Sequence, residues 1–190
     1  MRANGCGLGR PAVFLDRDGV IVIPEFREGR SFAPTRLEQF RIYPTAAENL
    51  HRLKAAGYML IVVTNQPDIG KGVIPFAVVE EMHRRLLREL PLDLIKMCAH
   101  TQSAGCECRK PKPGMLLAAA AELDLDLPRS FIVGDRKSDV EAGRAAGCRT
   151  VFIDLDYTEA RPSNADVTVR SIAEAADVIL QQQWEKEPCT

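Results

Sequence analysis

Short, continuous apolar runs alternate with amphipathic stretches along most of this chain. The apolar runs are residues 12–16, 58–64, 93–99, 130–135 and 150–155. Runs of this length without polar alternation are typical of strands that are buried on both faces of a parallel sheet. Strands that alternate with helices connect through right-handed crossovers. The pattern therefore predicts an α/β fold with a doubly wound, mainly parallel sheet.

Five amphipathic segments between and after these runs are predicted to form helices. They are residues 45–57, 75–90, 113–125, 137–147 and 171–184. Two of them begin with the spacing of a capping box, Thr45 with Glu48 and Ser171 with Glu174. In a capping box the hydroxyl accepts from the backbone of the first turn and the glutamate returns to the backbone of the cap.

A chain of 190 residues is long enough for one well-packed domain and short for two. No repeat, low-complexity segment or linker divides it, so we expect one domain over residues 1–190 with its core in residues 12–180. The longest irregular segment is 23–44, and loops of that length are often functional. No stretch is long enough for a large cap domain, so we expect only loops to cover the site.

The composition excludes several classes of partner. The net charge of −1 gives no general attraction to nucleic acid or to an anionic membrane. No apolar run approaches the roughly 20 residues that span a bilayer, and the N-terminal segment lacks the apolar core of a signal peptide. We therefore expect a cytoplasmic monomer that acts on a small molecule, with neither nucleic-acid nor membrane partners.

Acidic and polar side chains follow three of the predicted strands. Asp16 and Asp18 follow the first strand, Thr64 ends the second, and Asp135 follows the fourth, with Asp139 four residues further on. Ligands of open parallel sheets bind beyond the carboxyl ends of the strands. Carboxylates that converge there repel one another unless a cation lies among them, and oxygen ligands favour Mg²⁺. The role of Asp139 is left open at this point, as is that of the neighbouring Arg136.

The spacing of Asp16 and Asp18 suits phosphoryl transfer. Two residues apart on an extended chain, both side chains point the same way, so one can attack phosphorus while the other transfers a proton. The transferred group carries its charge on three oxygens, which the Thr64 hydroxyl and the Lys110 ammonium can stabilise.

Each of these features alone has an ordinary structural explanation. A pair of aspartates after a strand occurs by chance, "TNQ" is compatible with a side-chain-capped turn, and "GD" is compatible with a plain turn. Their joint occurrence at successive strand ends favours a catalytic site.

Four segments resemble the signature motifs of the haloacid dehalogenase (HAD) superfamily of phosphatases. They are "FLDRDGV" (14–20), "VVTNQ" (62–66), "CRKPKPGM" (108–115) and "VGDRKSD" (133–139). Within the superfamily they resemble the branch that contains heptose-1,7-bisphosphate phosphatases and the histidinol-phosphatase domain, over roughly residues 12–155. The resemblance implies a Rossmann-like core and catalysis through an aspartyl-phosphate.

The resemblance also implies roles for individual residues. Asp16 would be the nucleophile and Asp18 the proton donor. Asp16, the main-chain oxygen of Asp18, and Asp135 would hold Mg²⁺. The phosphoryl group would be stabilised by Thr64 and Lys110, and the substrate would be bound by Asn65, Gln66 and Arg109.

Three cysteines and a histidine lie within eleven positions just before Arg109. They are Cys98, His100, Cys106 and Cys108. Each pair is separated by one residue and the pairs by five, so a loop can bring them face to face. Three thiolates and one imidazole form the closed set of a structural Zn²⁺ site. A redox switch between Cys106 and Cys108 is the alternative, but it leaves His100 unexplained. The branch that this chain resembles carries the same kind of zinc loop.

The substrate is less constrained than the chemistry. Segment 24–36 carries three arginines against two glutamates, a basic surplus that suits a second phosphate, and Arg27 is its candidate substrate-binding residue. Cationic histidinol phosphate would instead favour carboxylates. We expect a sugar bisphosphate, for which the resemblance implies the 7-phosphate of D-glycero-D-manno-heptose 1,7-bisphosphate. A histidinol-phosphate phosphatase is the alternative, followed by a non-catalytic scaffold built on the zinc loop.

Overall fold

A computed structural model describes residues 9–182 of the chain. The strands are β1 Ala12–Leu15, β2 Glu25–Arg27, β3 Arg30–Phe32, β4 Met59–Asn65, β5 Leu94–Cys98, β6 Phe131–Gly134, β7 Arg149–Ile153 and β8 Val167–Val169. The helices are α1 Ala46–Ala55, α2 Pro67–Gly70, α3 Phe76–Glu89, α4 Gly114–Leu123, α5 Lys137–Ala146 and α6 Ile172–Gln181.

Six of the strands form one parallel sheet in the order β5-β4-β1-β6-β7-β8. The chain moves from β1 to one side through β4 and β5, and then to the other side through β6, β7 and β8. In the register of the sheet, Phe14 of β1 is paired with Ile61 of β4 and with Ile132 of β6. The order reverses at β1, and open α/β sheets bind their ligands beyond the strand ends at such a point.

Both faces of the sheet are covered, which explains the continuous apolar runs. Along β1, Val13 and Leu15 pack into a core with α1, α3 and α6, whereas Ala12 and Phe14 pack into a second core with α4 and α5. All four side chains are fully buried. The predicted doubly wound sheet is confirmed. None of the helices in the part of the chain described is long and apolar enough to cross a membrane.

The helix starts agree only partly with the predicted caps. The Ser171 hydroxyl accepts from the Glu174 N–H, as predicted, and the Glu174 carboxylate accepts from the Arg170 N–H. The prediction for Thr45 is wrong, because its backbone is helical (φ −85°, ψ −6°) and its side chain makes no capping hydrogen bond. The last predicted helix ends at Gln181, and residues 183–184 lie outside the described part.

The segment predicted to be irregular contains a short hairpin. β2 and β3 pair antiparallel around Glu28 and Gly29, which both have positive φ (52° and 73°). Positive φ at both central residues is typical of the tight turns that match the twist of a hairpin. With three residues in each strand, the alternating pattern is too short to stand out from a loop. The end of this hairpin lies at the carboxyl edge of the sheet, and no large cap domain occurs in residues 9–182.

Gly143 is expected to set how closely α5 approaches the sheet. A Cβ at this position would lie 2.1 Å from Cγ2 of Ile132 on β6. Alanine is the better helix former by about 1 kcal/mol, but overpacking a core costs about 1–3 kcal/mol. We predict that Gly143→Ala lowers the free energy of unfolding, measured by urea denaturation. Ala145→Ser, on the exposed side of α5, is the control and should change it by less than about 0.5 kcal/mol. A Gly143→Ala variant as stable as the parent would contradict the prediction.

Candidate active site

The ends of β1, β4 and β6 meet at a cavity of about 560 Å³. Its lining includes the predicted residues Asp16, Asp18, Thr64, Asn65, Arg109 and Lys110, together with Arg136 and Asp139. Residues separated by more than a hundred positions in the chain therefore lie around one space. The parallel sheet brings them together because each lies at or shortly after the carboxyl end of a strand, or in the cysteine–histidine loop after β5.

Asp16 is buried and its orientation is fixed by two donors. Its Oδ1 accepts from the Arg17 N–H at 2.7 Å and lies 3.0 Å from Lys110 Nζ. The Arg17 contact follows from the turn after β1, where Arg17 O accepts from the N–H groups of Ile21 and Val22. With Oδ1 held in this way, Oδ2 is the oxygen available for chemistry.

Lys110 is the buried cation of the site, with 3% of its surface exposed. Its ammonium group donates to Val63 O at 2.7 Å and forms ion pairs with Asp16 Oδ1 at 3.0 Å and Asp139 Oδ1 at 2.6 Å. Burial acts to lower the pKa of Lys110, but its ion pairs with Asp139 and Asp16 raise it. Lys110 is therefore charged at neutral pH, and each of its three donors has a partner.

Two glycines allow the carboxylates to crowd together. A Cβ at Gly134 would lie 2.2 Å from Cβ of Asp139, and one at Gly19 would lie 2.1 Å from Oδ2 of Asp135. Gly19 also has φ of +93°, which L side chains rarely adopt. The glycines of "DG" and "GD" are thus required by the close approach of acidic groups.

Asp135 gives the clearest indication that this site can hold a cation. Its Oδ2 accepts from the Tyr157 hydroxyl at 2.7 Å, but its buried Oδ1 has no hydrogen-bond partner. Carboxylate oxygens of Asp16, Asp135 and Asp139 all lie within 4.8 Å of one another. Burial, reinforced by the charges of Asp16 and Asp139, raises the pKa of Asp135 well above its ordinary value. A divalent cation bound among these carboxylates would stabilise their ionised forms and so lower the pKa of Asp135.

Asp139, whose role the sequence left open, is tied to the protein by both oxygens. Oδ1 is paired with Lys110, and Oδ2 accepts from the Arg136 N–H at 3.0 Å. Burial raises the pKa of Asp139 to about 6, against the opposing charge of Lys110. Asp139 therefore anchors Lys110 and the start of α5.

The side chains of Gln66 and Asn65 form hydrogen bonds with other residues of the site. Gln66 is buried, and its Nε2 donates to Asp18 Oδ2 at 2.8 Å and to Thr64 Oγ1 at 2.9 Å. The Asn65 amide exchanges two hydrogen bonds with the backbone of Lys110, of 3.1 and 3.2 Å. Both were predicted to bind substrate; the structure shows them holding Asp18, Thr64 and Lys110.

Arg109 and Arg27, both predicted to meet the substrate, lie in different surroundings. Arg109 lines the cavity, and its buried NH1 has no hydrogen-bond partner. Arg27 is on the exposed side of the hairpin, where it is paired with Glu25 and lies over the Phe32 ring. The structure does not bring Arg27 to the cavity, where the hairpin instead presents Ser31, Phe32 and Ala33.

The hairpin is attached to the acidic cluster through Arg136 and Tyr157. Arg136 NH2 donates to Ser31 Oγ at 2.7 Å, and its guanidinium lies 5.9 Å from the centre of the Tyr157 ring. That ring also packs against Phe26, with centroids 5.5 Å apart.

Sequence reasoning missed Tyr157, which lies in a loop without any motif. It also missed the contacts of Arg17, although an arginine between two predicted catalytic aspartates was visible.

Cys98, His100, Cys106 and Cys108 converge after β5. The Cys98 Sγ lies 3.6 Å from both Cys106 Sγ and His100 Nδ1, and Cys108 Sγ lies 3.5 Å from Cys106 Sγ and 3.3 Å from His100 Nδ1. Tetrahedral Zn²⁺ with ordinary bond lengths implies ligand separations of roughly 3.6–3.8 Å. Burial acts to raise the pKa of Cys106, but hydrogen bonds from Cys108, Arg109 and Cys98 lower it to about 7. Burial and its contacts with Cys98 and Cys106 raise the pKa of Cys108 to about 12, so the spacing of the four side chains is what marks the cluster as a candidate metal site.

The cysteine loop is packed against the catalytic elements. Cys98 O accepts from the Gln66 N–H at 2.8 Å, and a Cβ at Gly114 would lie 2.2 Å from Glu107 O. The loop is therefore held between the end of β4 and the start of α4. Because Cys108 immediately precedes Arg109 and Lys110, the position of the loop determines where both cations lie.

Several known proteins are similar to this chain in sequence. A HAD-hydrolase-like family model matches residues 107–175. A D-glycero-beta-D-manno-heptose-1,7-bisphosphate 7-phosphatase from Rhodopseudomonas palustris is 40% identical over 150 residues, 73% of this chain and 80% of the relative. A phosphatase of the same name from Pasteurella multocida is 37% identical over 184 residues, 90% of this chain and 97% of the relative.

A solved structure agrees with these relatives. The D,D-heptose 1,7-bisphosphate phosphatase of B. bronchiseptica, complexed with magnesium and phosphate, has a TM-score of 0.76 and 27% identity, over 90% of this chain and 98% of that one. The resemblance inferred from the four motifs is confirmed. The chain belongs to the HAD superfamily of phosphatases, in the family of the D-glycero-beta-D-manno-heptose-1,7-bisphosphate 7-phosphatases.

Proposed function

We propose that this protein is a Mg²⁺-dependent phosphomonoesterase that removes the 7-phosphate of D-glycero-D-manno-heptose 1,7-bisphosphate through an aspartyl-phosphate. The observation that carries the proposal is the convergence of Asp16, Asp18, Thr64, Lys110 and Asp135 at the strand ends around β1. The names of the relatives support the substrate.

In the first step, Asp16 attacks phosphorus. A bond forms between its free carboxylate oxygen and phosphorus, and the bond from phosphorus to the sugar oxygen breaks. The leaving oxygen takes a proton from Asp18, which lines the same cavity. Lys110 and the Thr64 hydroxyl are placed to stabilise the charge on the transferred group.

In the second step, water replaces the enzyme as the acceptor. Asp18, now ionised, takes a proton from water, and the hydroxide attacks phosphorus. The bond from phosphorus to Asp16 breaks, so that inorganic phosphate leaves and the Asp16 carboxylate is regenerated. One carboxylic acid thus serves as acid and then as base.

Mg²⁺ would be held by Asp16, Asp135 and the main-chain oxygen of Asp18. The unpartnered Asp135 Oδ1 and the crowding of buried carboxylates fit a hard cation with oxygen ligands. When bound, the ion offsets the negative charge that the phosphate brings into an acidic site.

The cysteine–histidine cluster is proposed to hold a structural Zn²⁺. With Cys98, His100, Cys106 and Cys108 as ligands, the coordination is complete and leaves no position for substrate. Its contribution is to order residues 98–110, since each free residue costs about 1–2 kcal/mol to fix.

The charge of the cavity favours a bisphosphate over histidinol phosphate. Four basic side chains line it besides Lys110, namely Lys71, Arg109, Lys112 and Arg136. Three of these are already paired with Asp68, Glu107 and Glu159, whereas the buried NH1 of Arg109 has no partner. Arg109 is therefore the cation best placed for substrate.

We predict that wild-type enzyme hydrolyses heptose 1,7-bisphosphate with a kcat/KM about 10–100-fold above that for histidinol phosphate, the value of one or two charge-assisted hydrogen bonds. Phosphate release should be measured for both anomers and for histidinol phosphate, with Mg²⁺ and with chelator. Turnover that persists in chelator, or a preference for histidinol phosphate, would contradict the proposal.

Asp16→Asn should lower kcat by at least about a thousandfold, as removal of a nucleophile does, because an amide cannot form the phosphoenzyme. Its circular dichroism and melting temperature should stay close to those of the parent. Asp177→Asn, which changes a half-exposed aspartate on α6, is the matched control and should keep full activity. A folded Asp16→Asn variant with parental turnover would exclude Asp16 as the nucleophile.

Protein purified without chelator should contain about one zinc per chain by metal analysis, as a closed four-ligand site requires. The double variant Cys106→Ser with Cys108→Ser should lose this zinc and at least about tenfold in kcat, because Arg109 and Lys110 are no longer held. Cys148→Ala, a buried cysteine outside the cluster, should keep the metal. Metal-free parental protein with full activity would refute a zinc site.

A further inference from the structure

Arg17, between the two catalytic aspartates, is fully buried, with 0% of its side chain exposed. Burying a guanidinium is strongly unfavourable unless its donors are satisfied by well-placed acceptors. Most arginines in enzymes of this size remain at the surface. The complete burial of Arg17 therefore indicates that the geometry of its guanidinium contributes to the function of the site.

The Arg17 guanidinium binds the Asp18 carboxylate through two of its nitrogens. Arg17 Nε lies 3.1 Å from both Asp18 oxygens, and NH2 lies 2.9 Å from Oδ2. A planar fork fixes the plane of the carboxylate as well as its distance. Asp18 is therefore held in one rotamer.

The two oxygens of Asp18 are not equivalent. Oδ2 accepts from Arg17 Nε, Arg17 NH2 and Gln66 Nε2, whereas Oδ1 shares only the Nε–H. A carboxylate oxygen has two lone-pair sites, so Oδ2 is saturated. Oδ1 is the oxygen left to exchange a proton with a substrate or with water.

The NH1 side of the Arg17 guanidinium, which points away from Asp18, contacts α3 and the Phe40 ring. Arg17 NH1 lies 3.3 Å from His83 Nε2, and the guanidinium lies 5.6 Å from the centre of the Phe40 ring. Arginine has only donors, so Nε2 accepts and the imidazole proton is on Nδ1. Burial and the charge of Arg17 lower the pKa of His83 to about 4, which keeps the ring neutral.

We propose that Arg17 and His83 are positioning residues that orient Asp18 for proton transfer, an inference that rests on the proposed function of Asp18. His83 accepts from NH1 and thereby fixes the rotation of the guanidinium. The guanidinium donates its hydrogen bonds mainly to Asp18 Oδ2, which leaves Asp18 Oδ1 available for proton transfer. Neither residue exchanges a proton during the reaction, and all proton transfer takes place at Asp18.

A positioning role has a signature that a purely structural role lacks. Cleavage of a sugar phosphate requires protonation of an alkoxide, whereas 4-nitrophenolate leaves without a proton. Misplacing Asp18 should therefore slow the first ester far more than the second. kcat/KM isolates this step, because it reports only events up to departure of the leaving group.

The experiment compares kcat/KM for heptose 1,7-bisphosphate and for 4-nitrophenyl phosphate in His83→Ala, His83→Gln and His51→Ala. His83→Ala should lose about tenfold on the sugar ester, part of the 10²–10⁴ that general acid catalysis contributes, and at most about twofold on the aryl ester. In His83→Gln the amide oxygen can accept from NH1, so the ratio of the two values should return to within about threefold of the parent. His51→Ala, which changes an exposed histidine on α1, is the control and should leave kcat/KM for both esters unchanged.

The outcomes separate this inference from the proposed function. If the parent hydrolyses both esters and His83→Ala slows both equally, or neither, the positioning role is wrong while the phosphatase stands. Arg17→Lys, which keeps the charge and loses the fork, provides a second test and should show the same selectivity for the sugar ester. A parent that hydrolyses neither ester would overturn the proposed function and this inference together.

Discussion

The site depends on one buried ammonium group shared by two carboxylates and a carbonyl. Lys110 joins β1 through Asp16, α5 through Asp139 and β4 through Val63 O. Without it, three acidic groups would lie side by side in a region from which water is largely excluded, and their ionised forms would repel one another. In the proposed mechanism the same charge also stabilises the phosphoryl group, so that Lys110 would contribute both to the stability of the site and to catalysis.

Lys110 is itself positioned by the end of β4 and by the cysteine–histidine loop. Asn65 binds its backbone, and the cysteine–histidine loop leads directly into it. A helix or strand would place a lysine by its own regular geometry, but this lysine lies in a turn rich in proline and glycine. The packed cysteine–histidine loop and an asparagine side chain therefore provide the rigidity that secondary structure provides for Asp16 and Asp135.

Much of this could be predicted from the sequence, because the strongest signals were local. Continuous apolar runs predicted the sheet, and carboxylates directly after them predicted where the candidate site lies. What escaped depends on contacts between distant segments: Tyr157 meets Asp135 across 22 positions of the chain, and His83 meets Arg17 across 66. Residue type alone also placed Arg27 and Gln66 near the substrate. It could not show that Arg27 is on the outer side of a hairpin or that Gln66 points between Thr64 and Asp18.

The attachment of the hairpin to Tyr157 limits how the specificity of this scaffold can change. Segment 24–36 is the natural place to alter substrate preference, since Ser31, Phe32 and Ala33 line the cavity and the segment carries no proposed catalytic group. Yet Phe26 and Ser31 also support the ring and the arginine next to a proposed metal ligand. Exchanging the whole segment with that of a homologue would therefore disturb the surroundings of Asp135 along with the hairpin side of the cavity. Divergence should thus proceed through side chains such as Phe32, with the anchoring contacts inherited unchanged.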